Sequence, residues 1–344
     1  MKKKVALHNL GCKVNAYEVE AMQQLLENAG YETVPFEEGA DVYVINTCTV
    51  TNIADRKSRQ MLHKAKKMNP DAIVVATGCY AQADTEKLKE DTAVDLILGN
   101  NQKTQIVEAL EEYEKEHAKQ VQVIEINHTK EYEELSISST AEHVRAYIKV
   151  QDGCNQFCTY CIIPFARGRV RSRKIEEVLS EVETLAAKGY KEVVLTGIHL
   201  SSYGVDFPKE ERESLLSLIQ AVSRGEGISR IRLGSLEPRI ITEEFLEGIV
   251  KTGKVCPHFH LSLQSGCNKT LKNMNRRYSA QEYAEKCELI RKFYPAPALT
   301  TDVIVGFPQE TEEDFEESYE FVKKIHFYET YIFKYSRRHG TKAA

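Results

Sequence analysis

Three cysteines stand in one short run, Cys154-Asn-Gln-Phe-Cys158-Thr-Tyr-Cys161, with no further cysteine or histidine close behind. Thiolates are the usual ligands of iron–sulfur clusters. A four-iron cluster held by three thiolates keeps one iron open, and an open metal position is where catalytic sites bind substrate. A structural zinc site is the competing reading, but such sites are closed by four ligands. The next cysteine, Cys256, lies far along the chain.

A second set is spread out. Cys12, Cys48 and Cys79 each follow a short β-rich run, in the contexts Leu10-Gly-Cys-Lys-Val-Asn15, Asn46-Thr-Cys-Thr-Val50 and Thr77-Gly-Cys-Tyr80. Residues 4–115 alternate such runs (5–7, 42–45, 73–76, 96–98) with helical patterns near 16–29, 54–67, 81–89 and 103–113. Repeated βα units imply a parallel sheet covered by helices. In open α/β sheets the carboxyl ends of the strands form the ligand crevice, so these thiols are expected to converge there. The alternative is three buried free cysteines, a common core residue. The turn-forming neighbours point away from a core setting.

Residues 116–141 are polar with one apolar run at 121–126, and read as a connector. The βα alternation then resumes. Strands are expected at 146–150, 192–195, 230–233, 258–263, 300–305 and 331–335, with helices near 175–188, 215–224, 243–251, 280–292 and 312–325. Six units make a partial barrel, short of the eight that close one, with its chemistry at the carboxyl ends of its strands. The expected fold is α/β: an N-terminal parallel-sheet domain over 1–118, a connector over 119–141 and a partial (β/α)6 barrel over 142–344.

The 344 residues are 42% hydrophobic and 28% charged, as in ordinary soluble domains, and no stretch has the length of a signal peptide core or a membrane span. Nine cysteines without a secretory signal fit a reducing, cytoplasmic setting and metal or catalytic roles. The net charge of −5 carries no global nucleic-acid signature, so RNA binding would need local patches. Arg167, Arg169, Arg171, Arg173 and Lys174 form one patch beside the cysteine loop, read as phosphate-binding. Arg56, Lys57, Arg59, Lys64, Lys66 and Lys67 form another, read as a solvated helix face.

The spacing at Cys154, Cys158 and Cys161 resembles the radical S-adenosylmethionine (SAM) superfamily. With both cysteine sets the chain resembles the methylthiotransferases over nearly its whole length. The matching pieces are Gly11-Cys-Lys-Val-Asn15, Asn46-Thr-Cys-Thr-Val-Thr51 with Ala54-Asp-Arg-Lys57, Thr77-Gly-Cys79, Gly153-Cys-Asn-Gln-Phe-Cys-Thr-Tyr-Cys-Ile-Ile-Pro164 and Arg167-Gly-Arg-Val-Arg-Ser-Arg173. Cys12-Lys-Val-Asn15, Val50-Thr-Asn52 and Leu195-Thr-Gly-Ile-His-Leu200 bring it closest to members acting on N6-threonylcarbamoyladenosine of tRNA.

The resemblance implies two 4Fe–4S clusters: an auxiliary one on Cys12, Cys48 and Cys79, and a radical SAM cluster on Cys154, Cys158 and Cys161. Cys256, Cys267 and Cys287 match no ligand position. It implies that one SAM donates methyl to sulfur, and that a second is cleaved to a radical taking hydrogen from C2 of the adenine, where the methylthio group is placed. SAM contacts are expected from Thr196 and Gly197, from Ser262, Gln264 and Ser265, from Asp302 and Gly306, and from Glu237 and Arg276. Phe157 and Tyr160 would shield the cluster or lie against adenine. The implied partners are tRNA and an electron donor such as flavodoxin or ferredoxin, with a monomer favoured. Family members usually continue into a small RNA-binding TRAM domain beyond the point matched by Lys334 to Ala344; without it, weaker tRNA binding is expected, helped by Arg337 and Arg338.

The rival readings are a methylthiotransferase for N6-isopentenyladenosine of tRNA or for a ribosomal-protein aspartate, and a non-catalytic iron–sulfur electron carrier or RNA-binding module.

Overall fold

The computed structural model of the protein describes residues 2–140, 144–211 and 213–344. The chain divides into two compact units, Met1–Ala141 with Ile162–Arg169, and Glu142–Cys161 with Val170–Ala344. The boundary expected at 141/142 lies outside the described residues.

The first unit is a six-stranded parallel sheet, in spatial order β2-β1-β3-β4-β5-β6. Its elements are β1 (Lys4–Asn9), α1 (Lys13–Asn28), β2 (Glu32–Thr33), β3 (Val42–Thr47), α2 (Asn52–Met68), β4 (Ile73–Gly78), α3 (Cys79–Ala83), α4 (Thr85–Glu90), β5 (Leu96–Leu98), α5 (Ile106–Glu116) and β6 (Gln120–Gln122). The central strand β3 is buried at every residue, as a strand with both faces covered must be. Its side chains alternate between two cores. Tyr43 and Ile45 pack with Leu62 and Ala65 of α2, while Val42 and Val44 pack with Met22 and Leu26 of α1 and Leu110 of α5. The helix expected near 81–89 is two helices, and the first begins at Cys79 itself. Gly78 precedes it at φ 92°, a conformation that favours glycine, and a Cβ there would overlap Asn46 and Thr47.

The second unit carries six strands that are parallel and succeed one another in chain order: β7 (Ala146–Asp152), β9 (Glu192–Gly197), β10 (Arg230–Leu233), β11 (His258–His260), β12 (Ala298–Val305) and β13 (Glu329–Lys334). Among the described residues only single bridges, Ile231 with Val255 and Leu236 with Leu261, join the β10 side to the β11 side. A short antiparallel strand, β8 (Arg171–Ser172), follows the one-turn α6 (Ile163–Ala166) and pairs with β7. No strand pairs with the outer edge of β13 among the described residues, so the barrel stays open. The intervening helices are α7 (Ile175–Ala187), α8 (Leu215–Arg224), α9 (Glu243–Lys251), α10 (Asn268–Asn273), α11 (Ala280–Phe293) and α12 (Glu312–Ile325). Ser214, Thr242, Ser279 and Thr311 cap α8, α9, α11 and α12 by accepting from the backbone three residues on. The short β8, β2 and helix α10 had no periodicity to announce them.

Candidate functional site

In the first unit, register places the ends of three strands level: Asn9 of β1 pairs with Asn46 of β3, and Asn46 with Thr77 of β4. Each strand delivers a cysteine within three residues, so Cys12, Cys48 and Cys79 reach one edge of the sheet. Gly11 is a close floor for Cys48: a Cβ there would lie 3.1 Å from its Cβ and 3.2 Å from its Sγ. Burial, with the neighbouring Cys79 and Cys12, pushes the Cys48 thiol up to about 12. Such a thiol holds its proton in water but loses it to a metal. Ser58 of α2 braces this loop, accepting from the Cys48 N–H at 3.2 Å and donating to its carbonyl at 3.0 Å.

The Cys79 sulfur faces donors. Arg167 Nε donates to it at 3.1 Å and Asn100 Nδ2 approaches at 3.7 Å. The Arg167 guanidinium is fully buried and also donates to both carboxylate oxygens of Glu18, at 2.8 and 3.0 Å, and to Asn15 Oδ1 at 2.7 Å. Lys103 Nζ stands 3.4 Å from Glu18, and both are fully buried. A sulfur met by a guanidinium and an amide N–H has donors aimed at it, and this donor set fits an anionic cluster. Among the described residues no three His, Cys, Asp or Glu side chains converge on a single-ion site. Cluster thiolates need not converge so closely, since each binds a different iron.

In the second unit, the loop of residues 153–161 leaves the end of β7. Gly153 and Phe157 both have positive φ, 69° and 50°. The loop is pinned from two sides. Gln151 donates to the carbonyls of Asp152 and Gly153, at 2.6 and 2.7 Å, and accepts from the His199 N–H at 2.7 Å. Asn275 donates to the carbonyls of Gln156 and Phe157, and Thr159 donates to Asn273 and Met274. Burial pushes the Cys154 thiol up to about 11. Arg276 Nη1 donates to Cys158 Sγ at 3.3 Å, and its Nε reaches Tyr278 Oη at 2.9 Å. Tyr160 lies edge-on to Phe307, with ring centroids 6.2 Å apart.

The SAM-contact residues expected from sequence fall around these strand ends. Thr196 is buried at the end of β9. At Gly197 a Cβ would come within 2.8 Å of Gln151 Oε1, so the bare backbone serves strand packing. Ser262 offers its carbonyl to Tyr278 and Arg276. Gln264 stands at φ 72°, while Ser265 is fully buried and accepts from the Cys267 N–H. Asp302 lies 3.1 Å from His260 Nε2, Glu237 is buried against Arg239, and Gly306, at φ 71°, donates its N–H to Glu310. His199 was not anticipated. Its Nδ1 is 2.7 Å from Ser202 Oγ, while burial and the cations Arg276 and Arg239 hold its pKa down at about 4.

The basic run at 167–174 is corrected. Arg167 and Arg171 are fully buried, Arg173 is buried against Glu181 and Glu177, and Arg169 is half-buried. Arg171 lies 3.7 Å from Asp152. Only Lys174 is exposed, because a buried guanidinium must be paired and these have their acids elsewhere in the chain. Of the terminal pair, Arg337 is exposed and Arg338 buried. Cys256, Cys267 and Cys287 are buried singly in the second unit.

Residues 4–99 match the family described as "Uncharacterized protein family UPF0004", and residues 148–322 match the radical SAM superfamily. The chain is 46% identical over 340 residues to the threonylcarbamoyladenosine tRNA methylthiotransferase MtaB of Bacillus subtilis (strain 168), covering 99% of this chain and 75% of that protein. To the protein of the same name from Aquifex aeolicus (strain VF5) it is 48% identical over 341 residues, covering 99% and 82%. In fold it is similar to the radical SAM methyltransferase TsrM of Kitasatospora setae, solved with cobalamin and a [4Fe–4S] cluster, at TM-score 0.69 and 15% identity over 97% of this chain and 75% of that one.

Proposed function

The chain belongs to the radical SAM tRNA methylthiotransferases of the MtaB type, and from that premise we infer that it places a methylthio group on C2 of N6-threonylcarbamoyladenosine in a tRNA anticodon loop. The observation that carries this reading is the gathering of Cys12, Cys48 and Cys79 at one sheet edge, in a chain that also bears the loop of Cys154, Cys158 and Cys161. When bound, two 4Fe–4S clusters and SAM supply a carbon-centred radical and a source of methylated sulfur.

The residues divide the labour. Cys12, Cys48 and Cys79 would hold the auxiliary cluster, with Arg167 and Asn100 turned to the Cys79 sulfur. Cys154, Cys158 and Cys161 would hold the radical SAM cluster. Arg276, anchored on Tyr278, donates to the Cys158 sulfur and presents charge beside it. Thr196, Gly197, Ser262, Gln264, Ser265, Asp302, Gly306 and Glu237 form the strand-end rim that positions SAM, with the backbone doing much of the work where side chains are buried. An electron donor such as flavodoxin or ferredoxin would supply the reducing electron, a cytoplasmic setting suits that chemistry, and a monomer is the favoured state. No helix among the described residues is long and apolar enough to cross a membrane.

The test is anaerobic reconstitution with iron and sulfide, then incubation with SAM, a reductant and tRNA bearing N6-threonylcarbamoyladenosine or N6-isopentenyladenosine. Mass spectrometry of the nucleosides is expected to show the methylthio product from the first only. Product from the second alone would reassign the substrate, and SAM cleavage without either product would remove the RNA-modifying reading.

A further inference from the structure

With the run at 167–174 buried, the largest exposed concentration of positive charge that the sequence analysis singled out lies on α2. Residues 51–70 carry six cations against one acid, in a chain whose net charge is −5. That acid, Asp55, is buried and accepts from Thr49 Oγ1 at 2.6 Å. At 100° per residue, Ser58, Leu62 and Ala65 fall on one side of the helix, and all three are buried. Ile53, Arg56, Lys57, Gln60, Lys64 and Lys67 fall on the opposite arc, and all six are exposed. His63 shares that arc and is tied to Asp91. The flanking cations are engaged within the fold: Arg59 donates to Tyr80 Oη at 3.1 Å, and Lys66 to Asp95 at 2.8 Å. Arg56, Lys57, Lys64 and Lys67 make no ion pair among the described residues.

Two features tie this arc to chemistry. Ser58, on the inner side of α2, clamps the backbone of Cys48 through both its N–H and its carbonyl. The loop joining Cys48 to the helix also exposes Val50, at 51%, and the first turn of the helix exposes Ile53, at 60%. One helix therefore touches a proposed cluster ligand on its inner face and presents an acid-free cationic surface on its outer face. The helix is roughly 10 Å across, so phosphates bound outside would belong to nucleotides flanking the one whose base enters.

We propose that the exposed face of α2, built from Arg56, Lys57, Lys64 and Lys67 with Val50 and Ile53 at its leading end, is a docking surface for the RNA backbone next to the modified nucleotide. This rests on the reading of tRNA as substrate and adds where the tRNA is gripped. The lysines and the arginine neutralise phosphates, while the apolar leading end lies against a base or ribose. An acidic protein has the same charge as RNA. RNA is favoured because the substrate is a polyanion with regularly spaced phosphates, which a row of cations along one helix matches, and the acidic protein is an outcome of the test.

The experiment measures tRNA binding to the full reconstituted chain across a salt series. The test variant changes Arg56, Lys57, Lys64 and Lys67 to Gln; a control variant changes exposed Lys188, Lys251, Lys292 and Lys324 to Gln. Iron content and circular dichroism establish that each is folded and loaded, and the half-variants Arg56→Gln with Lys67→Gln and Lys57→Gln with Lys64→Gln serve if the full one is not. The expected result is a tRNA affinity at least about tenfold weaker, with the slope of log affinity against log salt shallower by about 3, at roughly 0.7–0.9 per lost phosphate contact. The half-variants should each lose about half of that slope, and the control should match the parent. A parent-like slope in the test variant would overturn the proposal. So would loss of binding to an acidic electron carrier with tRNA binding intact. If the parent chain itself shows no salt-dependent tRNA binding, the substrate reading fails first and this proposal with it.

Discussion

In the first unit three cysteines arrive from three strands, because β1, β3 and β4 end level. In the second, three cysteines share one loop whose shape is set by Gly153, Gln151 and Asn275. Both sites place a guanidinium on one sulfur, Arg167 on Cys79 and Arg276 on Cys158. The surroundings of the two arginines differ. Arg167 is locked to the buried carboxylate of Glu18, with Lys103 behind it, whereas Arg276 leans on the neutral hydroxyl of Tyr278. The first arrangement is a closed ionic network that holds its charges among themselves. The second leaves Arg276 with no carboxylate on it among the described residues. In the proposed reading, where the first site would supply sulfur and the second would bind SAM, an uncompensated cation suits an anionic ligand such as the carboxylate of SAM.

The largest effect should come from deleting either set. Changing Cys154, Cys158 and Cys161 to Ala should remove roughly four irons per chain and all reductive SAM cleavage. Changing Cys12, Cys48 and Cys79 to Ala should remove a similar amount of iron but leave SAM cleavage in place without methylthio product. Iron analysis and chromatography of 5′-deoxyadenosine separate the two, and equal loss of cleavage in both variants would break the division of roles.

Next comes the contrast between the arginines. Arg167→Gln takes the guanidinium away from the buried Glu18 carboxylate, keeping Lys103 at 3.4 Å and the Asn46 amide beside it, which should cost about 3–5 kcal/mol of stability and deplete auxiliary iron. Adding Glu18→Gln should recover part of the stability. Arg276→Gln strands no carboxylate and should cost only about 1–2 kcal/mol, while weakening SAM binding. Denaturant unfolding and SAM binding by equilibrium dialysis would show it, and equal stability losses would contradict the comparison.

A smaller pair tests the floors of the sites. Gly11→Ala puts a Cβ against the Cys48 sulfur at φ 115° and should impair auxiliary iron loading, with about 1–3 kcal/mol of destabilisation. Gly306→Ala meets nothing within 4 Å and carries only the left-handed strain of φ 71°, about 1 kcal/mol.

At neutral pH the least visible effect is a pH dependence in the second unit, which appears only on acidification. His199 titrates near its ordinary value when unfolded and at about 4 when folded, so the unfolded chain binds its proton first as pH falls. Its contribution to stability is therefore complete above about pH 6.5 and is lost between there and pH 4, on the order of 2 kcal/mol given its partial exposure. His199→Gln should flatten that window in unfolding experiments while leaving the first unit's iron unchanged.

Much of the architecture was legible. The strands of both units follow β-rich runs, and the expectation that three thiols meet at strand ends needs only the parallel-sheet rule. The roles of the arginines were not. Arg167 sits among cations with no acid nearby in sequence, which is the pattern of a surface patch; its partner Glu18 lies on α1, at the other end of the first unit's chain. Nothing local announces a pairing across that separation. The cationic stripe of α2 shows the reverse: its spacing was readable, but whether it faced water or acid depended on which side packed against β3.

The sequence by itself determined the two cysteine sets and the order of βα units, because these depend on residue type, spacing and period. Tertiary structure decided which charges are spent inside the fold and which remain for a partner. Burial makes an unpaired charge too costly to keep, so Arg167 and Arg171 are held against carboxylates from earlier elements and Arg173 against Glu177 and Glu181 of the next helix, while Arg56, Lys57, Lys64 and Lys67, left in water, make no ion pair among the described residues.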